Sequence, residues 1–369
     1  MRYLFINVVA GSGSTGKIAA EQCRQLIKEG HQCVLAYGRW KANCDDIDTY
    51  KIGTSFDYSI HGLYTRLFDK HGFGSKRATR KFLRWVDTYN PDVIWIHNIH
   101  GYYINIEMLF DYLKKKDKKV YWTLHDCWSF TGHCAYFTYV KCDRWKTGCH
   151  ECPQRNKYPQ SHLADCSKTN YEKKRNIFCG VKNMTLITPS QWLADLVKES
   201  FLKEYPVEVV NNQIDKKIFK PTPSDFRKKH GIDNKIILLG VASTWDARKG
   251  LKDYIELSKM LSDKYIIVLV GLSKKQLKSL PSNILGLPKT ESAIQLAEIY
   301  TAADVFVNCS YEENYPTVNL EAQACGTPVI AYDVGGTKET IRISELNNSL
   351  VSSGNVADVY RNIVKRTAR

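Results

Sequence analysis

Apolar residues along the chain fall into short unbroken runs, separated by longer stretches in which they recur every three or four positions. Unbroken runs suit strands buried on both faces, and the longer spacing suits helices with one buried stripe. Tyr3–Val9 reads as a first core strand, followed by a helix over Ile18–Lys28, a turn at Gly30 and a strand over Gln32–Tyr37. Pro91 then introduces the run DVIWIHN, and Lys119–Leu124 repeats its pattern. Strand and helix alternating in this way predict a doubly wound parallel sheet.

The pattern restarts after residue 234 with KIILLGVA, a helix over Leu251–Leu261, YIIVLVG, a helix over Ile294–Tyr300, DVFVNCS, a helix over Asn319–Ala324 and PVIAYD. Between the halves, VEVVNNQIDKKIFKPTPSDF carries the Asn and Pro residues of a turning linker, which places a hinge near Asn211–Lys220. A last helical pattern over Val356–Arg369 has its stripe at Val356, Val359, Tyr360 and Ile363. The expected fold class is therefore α/β, with Rossmann-like domains over 1–205 and 206–345 and a terminal helix within 346–369.

Composition narrows the class further. A chain of 369 residues exceeds one ordinary core, and 43% hydrophobic with 25% charged residues fits a soluble globular protein. Runs such as Tyr265–Val270 fall far short of the roughly 20 apolar residues that span a bilayer. The opening MRYLFINVVA leads into GSGSTGK and a helical pattern, so it reads as a strand and not as a secretion signal. Twelve cysteines in a chain of this kind imply a reducing compartment, hence a cytoplasmic location. A net charge of +15 calls for an anionic partner: nucleic acid, acidic lipid headgroups or a phosphorylated substrate.

The segment Tyr311–Pro328 sets two glutamates seven residues apart across a strand-to-helix turn, Glu313 in the loop and Glu321 on the helix. Such a turn offers free backbone N–H groups that bind diphosphate without a cation, and nearby carboxylates accept hydrogen bonds from sugar hydroxyls. With ACGTPVIA and DVGGTKE, this segment resembles the E-x7-E region of the retaining GT-B glycosyltransferases of family four. The resemblance covers nearly the whole chain and is densest over Lys235–Thr340.

That resemblance implies two domains facing across a cleft, the first binding acceptor and the second binding donor. It implies metal-independent, retaining transfer from a UDP- or GDP-linked sugar to a lipid-linked or oligosaccharide acceptor, in assembly of a capsule, O-antigen or exopolysaccharide. Glu313 would contact the transferred sugar and Glu321 the ribose, with Tyr315, Pro316 and Thr317 along the phosphates. In GVASTWDARKG, Lys249 matches a family cation, but Thr244 stands where the family has Arg, leaving Arg248 or Arg39 as sources of that charge. Alternatively, Arg248 and Lys249 are solvated residues at a helix start.

GSGSTGKIA nearly spells a nucleotide phosphate loop through Gly11, Gly16 and Lys17, but Ile18 replaces the metal-binding hydroxyl. By resemblance, Gly16 instead lets the backbone approach donor phosphates. His97 and His100, and the pair His125-Asp126, follow two strands at the edge where ligands bind in such sheets. The resemblance gives His125 and Asp126 a place in catalysis, His125 touching the donor sugar; His97 and His100 are acceptor-side candidates. A histidine at a strand end is otherwise simply hydrogen-bonded in place.

Residues 127–153 form a Cys-rich insertion in which Cys134, Cys142, Cys149 and Cys152 are spaced x7, x6 and x2. Two readings are open: a structural zinc site stapling a segment with little core of its own, or free cysteines packed among Trp128, Phe130, Tyr136 and Trp145. The insertion also resembles one in a bacterial polysaccharide-assembly branch of the family, on the acceptor side. Lys76, Arg77, Arg80, Lys81 and Arg84 share one helical face, after the apolar Phe56, Ile60, Leu63, Tyr64, Leu67 and Phe68. That pairing suits an anionic membrane surface, or a merely solvated face. Asp46-Ile47-Asp48 is too short a signal for a metal-dependent site. Rival functions are nucleic-acid binding, for which no recognition motif is present, and a GT-B epimerase or phosphorylase.

Overall fold

Leu4, Phe5 and Ile6 are fully buried, so β1 (Arg2–Asn7) is covered on both faces, as a central parallel strand requires. It stops short of the expected Val9 because the Asn7 side-chain amide donates to the Val9 carbonyl at 2.7 Å and turns the chain out of the sheet. The computed structural model describes residues 1–342 and 346–368. Residues 343–345, where the donor domain was expected to end, and Arg369, the expected last helical residue, lie outside the described residues.

The first unit, Met1–Asn211, continues with α1 (Gly13–Lys28), β2 (Gln32–Tyr37), β3 (Asp48–Lys51), α2 (Ser55–Phe68), α3 (Lys76–Tyr89), β4 (Val93–Ile96) and α4 (Ile106–Lys115). After β5 (Lys119–Thr123) come α5 (Ser167–Phe178), β6 (Met184–Thr188), α6 (Gln191–Glu199) and β7 (Val207–Val209). The strands are parallel in the order β3-β2-β1-β4-β5-β6-β7. Because β7 pairs with β6, this unit runs past the expected boundary at residue 205.

The second unit, Asn212–Arg369, holds α7 (Phe226–Lys229), β8 (Ile236–Val241), α8 (Leu251–Met260), β9 (Tyr265–Val270), α9 (Lys274–Leu277) and β10 (Ile284–Leu287). Then follow α10 (Ala293–Ala302), β11 (Val305–Asn308), α11 (Thr317–Ala324), β12 (Val329–Tyr332), β13 (Ser349–Val351) and α12 (Val356–Thr367). Its parallel order is β10-β9-β8-β11-β12-β13. Each sheet reverses its winding beside its first strand, between β1 and β4 and between β8 and β11, and such a reversal opens a crevice at the carboxyl edge.

Two helices place their apolar stripes differently. The terminal helix α12 packs against α8, β12 and β13 of its own unit. Val356, Val359 and Ile363 are buried there, each contributing about 1.5–3 kcal/mol, and Thr367 hydrogen-bonds Tyr265 at 2.7 Å. Helix α2 is well capped, Thr54 and Asp57 forming a reciprocal box, yet it turns its small polar side inward. His61 and Thr65 are buried, while Phe56 (72%), Leu63 (58%) and Ile60 (52%) are exposed.

Candidate functional site

In the second unit the chemistry gathers at the carboxyl ends of β8 and β11. After β8 the chain makes a single 3-10 turn, Ala247–Lys249, capped by the Asp246 side chain accepting from the Arg248 N–H. Gly250 closes this turn at φ +68°, and a Cβ there would lie 2.2 Å from the Cys309 carbonyl oxygen. Only glycine permits so close a seat against the end of β11. The Tyr311 N–H then bonds the Arg248 carbonyl at 2.7 Å, which holds the two loops together.

That seating brings Lys249 and Glu313 into an ion pair, the carboxylate accepting from the ammonium. Arg248 pairs with Asp246 at 3.1 Å and lies 3.8 Å from the buried Glu312 carboxylate. Thr244 is exposed on the same loop. Helix α11 begins behind Pro316 with neither a side-chain cap nor an acidic residue in its first turn, so its leading N–H groups keep their positive potential. Glu321 accepts from the Tyr300 hydroxyl at 3.0 Å. Burial, and then Glu321, hold that phenol well above its ordinary pKa, so it remains the donor. Asn319 is tied to Asn308 at 3.0 Å and to Thr340 at 2.9 Å, which fixes α11 against β11. Tyr315 and Thr317 are half-buried beside the helix start.

In the first unit, the adjacent strands β4 and β5 carry all four singled-out groups at their carboxyl ends. They assemble as two pairs. His97 Nδ1 meets His125 Nε2 at 3.0 Å. Burial drives the pKa of His97 well below its usual range and that of His125 down to about 4, so both are neutral at physiological pH. His100 Nε2 meets Asp126 at 2.9 Å, and the other Asp126 oxygen accepts from the Trp128 N–H at 2.9 Å. Burial raises the Asp126 pKa, but His100 and the Trp128 N–H outweigh it and leave the group an ionised acceptor.

Gly16 lies in the first turn of α1, where a Cβ would come within 2.8 Å of Val9 Cγ2. The close approach that requires glycine there is thus made by β1's own continuation. Arg39 stacks over Trp40 and Tyr58, at 5.0 and 4.5 Å. Asp46 is engaged by Arg24 at 2.6 Å.

The Cys-rich segment is built into the core of the first unit. Trp128, Phe130, Phe137 and Trp145 belong to the same buried cluster as the β4 and β5 side chains, so the segment shares the unit's core and has no need of a staple. Cys134, Cys142, Cys149 and Cys152 line one small pocket. Cys134 donates to Cys152, whose pKa falls to about 7 through that hydrogen bond, and Cys149 accepts from the Gly132 N–H at 3.2 Å. Among the described residues no group of three or more His, Cys, Asp or Glu is placed to hold a metal ion. No disulfide joins the described cysteines.

Sequence reasoning missed a buried polar network beneath this segment. Lys174 is fully buried, donates to the Trp128 and Thr131 carbonyls at 2.8 and 3.0 Å, and sits 3.4 Å from the Trp128 ring centre. Burial lowers its pKa to about 7. His133 and Asp69 form a buried pair at 2.6 Å. The partners are far apart in sequence, so no local pattern announced them.

Residues 15–217 match the family model described as Glycosyltransferase Family 4, and residues 224–365 match Glycosyl transferases group 1. The chain is 25% identical over 360 residues to a putative colanic acid biosynthesis glycosyl transferase, WcaC, of Escherichia coli, covering 93% of this chain and 86% of that protein. It is 34% identical over 164 residues to an N,N'-diacetylbacillosaminyl-diphospho-undecaprenol alpha-1,3-N-acetylgalactosaminyltransferase of Campylobacter jejuni, covering 40% of this chain and 42% of that one. The crystal structure of Anabaena HepE in complex with UDP-glucose superposes with a TM-score of 0.67 at 15% identity, covering 100% of this chain and 92% of that one. A family model spanning more than half of the residues, on two parallel Rossmann-like sheets, means that this chain belongs to glycosyltransferase family 4 and is a glycosyltransferase of the GT-B fold.

Proposed function

We propose that this glycosyltransferase moves a hexose from a UDP-linked donor, with retention at the anomeric carbon, onto a lipid-linked sugar during assembly of a surface polysaccharide. The observation that carries the reading is the Lys249–Glu313 pair beside the uncapped start of α11. It sets a cation and an N–H-rich helix end for the diphosphate next to a carboxylate for the sugar, with no metal needed to balance the charge. Lys249 and Arg248 take the diphosphate, Tyr315, Pro316 and Thr317 its path into α11, Glu313 the sugar and Glu321 the ribose. His125, neutral and buried, serves the donor sugar as a hydrogen-bonding group.

Supporting this choice, WcaC is named for colanic acid, the Campylobacter relative for a diphospho-undecaprenol acceptor, and the HepE structure for UDP-glucose. The outward apolar stripe of α2 and the exposed cations Lys76, Arg77, Arg80, Lys81 and Arg84 of α3 suit peripheral binding to the anionic inner face of a membrane. No ion pair among the described residues engages those five side chains. No helix among the described residues is long and apolar enough to cross a membrane.

A thermal-shift series with UDP, GDP, ADP and CMP, with and without EDTA, tests the donor site. Stabilisation by UDP alone that survives EDTA is expected. Preference for another nucleotide, or loss of the shift in EDTA, overturns that part of the reading. Co-sedimentation with phosphatidylglycerol vesicles tests the membrane face, and the triple variant Phe56→Ser, Ile60→Ser, Leu63→Ser should stay in the supernatant.

A further inference from the structure

Two arginines of the first unit, Arg39 and Arg66, have no anionic partner among the described residues, and one aromatic surface joins them. Arg39 follows β2, where its backbone N–H bonds the Val8 carbonyl at 2.9 Å. Its guanidinium lies over the Trp40 ring at 5.0 Å and over the Tyr58 ring of α2 at 4.5 Å, so it is held by aromatic faces and not by a carboxylate. Arg39 Nε is enclosed without a hydrogen bond, whereas the two terminal nitrogens, equally unbonded among the described residues, are not enclosed. An arginine fixed by stacking, with its forked end unspent, suits a phosphate or diphosphate.

Tyr58, Gly62 and Arg66 are spaced four residues apart and so line one edge of α2. Tyr102 packs against the middle of that edge: a Cβ on Gly62 would lie 3.9 Å from its ring, and its ring centre is 5.6 Å from that of Tyr58. Burial and then Tyr58 raise the Tyr102 pKa, while Arg66 and Arg39 both pull it down, so the two cations act on one phenol. Trp40 and Tyr102 are held at φ +61° and +72°, left-handed conformations that bulky residues rarely adopt and that cluster where loops clamp ligands. Trp40 is 62% exposed. Tyr158 stands edge-on to Tyr102; its hydroxyl is tied to His100 at 2.8 Å, so the 45% of this residue that is exposed is chiefly ring. Leu63, one turn before Arg66, and Ile60, one turn before that, belong to the exposed apolar stripe of α2.

We propose that this surface binds the headgroup of a sugar carried on a polyprenyl diphosphate; this rests on the lipid-linked acceptor proposed above. Arg39 and Arg66 take the diphosphate, the Trp40 and Tyr158 rings stack on the C–H faces of the sugar, and the apolar stripe of α2 meets the polyprenyl chain. The three parts of such a ligand find three kinds of surface side by side within one unit. A nucleotide would leave the apolar stripe unused, and a phospholipid would leave the rings unused.

The test titrates the full-length protein by calorimetry with farnesyl diphosphate, N-acetylglucosaminyl-diphospho-farnesol, inorganic pyrophosphate and UDP, and measures co-sedimentation with phosphatidylglycerol vesicles in parallel. Farnesyl diphosphate should bind at least about tenfold more tightly than pyrophosphate, through its chain. Arg39→Gln and Arg66→Gln should each weaken farnesyl diphosphate by about 10- to 100-fold, with UDP affinity and melting temperature unchanged. Trp40→Ala should leave farnesyl diphosphate within about threefold of wild type and cost the glycosylated probe about fivefold or more. Arg39→Gln within about threefold of wild type for farnesyl diphosphate overturns the proposal. So does an equal loss of UDP affinity, which makes Arg39 a nucleotide ligand, and so does farnesyl diphosphate binding no better than pyrophosphate, which leaves a simple anion site. Lost vesicle binding with intact farnesyl diphosphate affinity assigns the arginines to phospholipid headgroups and overturns it as well. Arg66 is on the outside of α2, so Arg66→Gln decides the matter should Arg39→Gln fail to fold. A wild-type protein that does not bind UDP sinks the transferase reading itself, whereas one that binds UDP but not farnesyl diphosphate sinks this proposal alone.

Discussion

Replacing Glu313 by Gln separates stability, donor binding and chemistry in one substitution. The side chains of Lys249 and Glu313 retain 25% and 12% exposure, so solvent screens the pair and its net contribution to stability is about 1 kcal/mol at most. The melting temperature should therefore fall by only about 2–4 °C. Donor binding moves the other way. With the carboxylate gone, Lys249 faces the diphosphate uncompensated; one unit charge removed from about 5 Å away, at an effective dielectric of roughly 40, is worth about 1–2 kcal/mol. UDP should bind roughly five- to thirtyfold more tightly. Transfer should nonetheless drop by about 10²–10³-fold, because the carboxylate that meets the developing charge on the sugar is missing. Calorimetry with UDP and initial rates with UDP-hexoses measure both effects. Weaker UDP binding together with an unchanged rate would refute the reasoning, for it would mean that Glu313 holds the nucleotide and not the sugar.

Three further substitutions test the supports of the two units. Asp69→Asn breaks the buried pair with His133 and should cost about 3–5 kcal/mol in urea unfolding at pH 6. Burial opposes the charge on His133, but Asp69 outweighs it and raises the pKa; the pair's extra stability is therefore present below the ordinary value of about 6.5 and lost as pH rises through the raised one, so the gap from wild type should narrow by pH 9. A gap that widens with pH contradicts that sign. Gly250→Ala forces a left-handed residue against the Cys309 carbonyl, so it should destabilise by more than about 2 kcal/mol and weaken UDP binding by moving Lys249; calorimetry showing normal affinity would count against the seating argument. Among the four clustered thiols, Cys152 should react first with iodoacetamide at pH 7 because its pKa is near 7, and Cys134→Ala should slow it by removing the hydrogen bond responsible, both read by peptide mass spectrometry.

The second unit was the more legible because its chemistry is local. Glu313 and Glu321 sit on one loop and the helix it starts, and Lys249 precedes the glycine whose conformation seats it, so a short stretch of sequence contains both the groups and the turn that aims them. Strands were legible for the same reason: β1, β5, β9 and β12 each read as an unbroken apolar run, and both sheets bury such runs on two faces. Their ends were less so. Where β1 stops depends on one Asn7 hydrogen bond, and the Rossmann pattern alone did not reveal that Val207–Val209 adds a seventh strand.

The first unit shows what periodicity cannot carry. His100 and Tyr158 are 58 residues apart, and His133 and Asp69 are 64 apart, so each pair meets only through the tertiary fold. The histidines at the strand ends were visible in the sequence, but their partners were not. Helix α2 adds a second limit: a three-to-four apolar spacing identifies a helix and its stripe, yet the period is the same whether the stripe faces a core or the outside. In α12 the stripe is buried, and in α2 it is exposed beside a run of unpaired cations. Burying α2's stripe inward would have displaced His61, whose ring accepts the Gly72 and Gly74 N–H groups at 3.2 and 3.1 Å and so holds the loop leading into α3. The inward face of α2 is thus selected by the hydrogen bonds that order this loop, and the apolar side is left exposed.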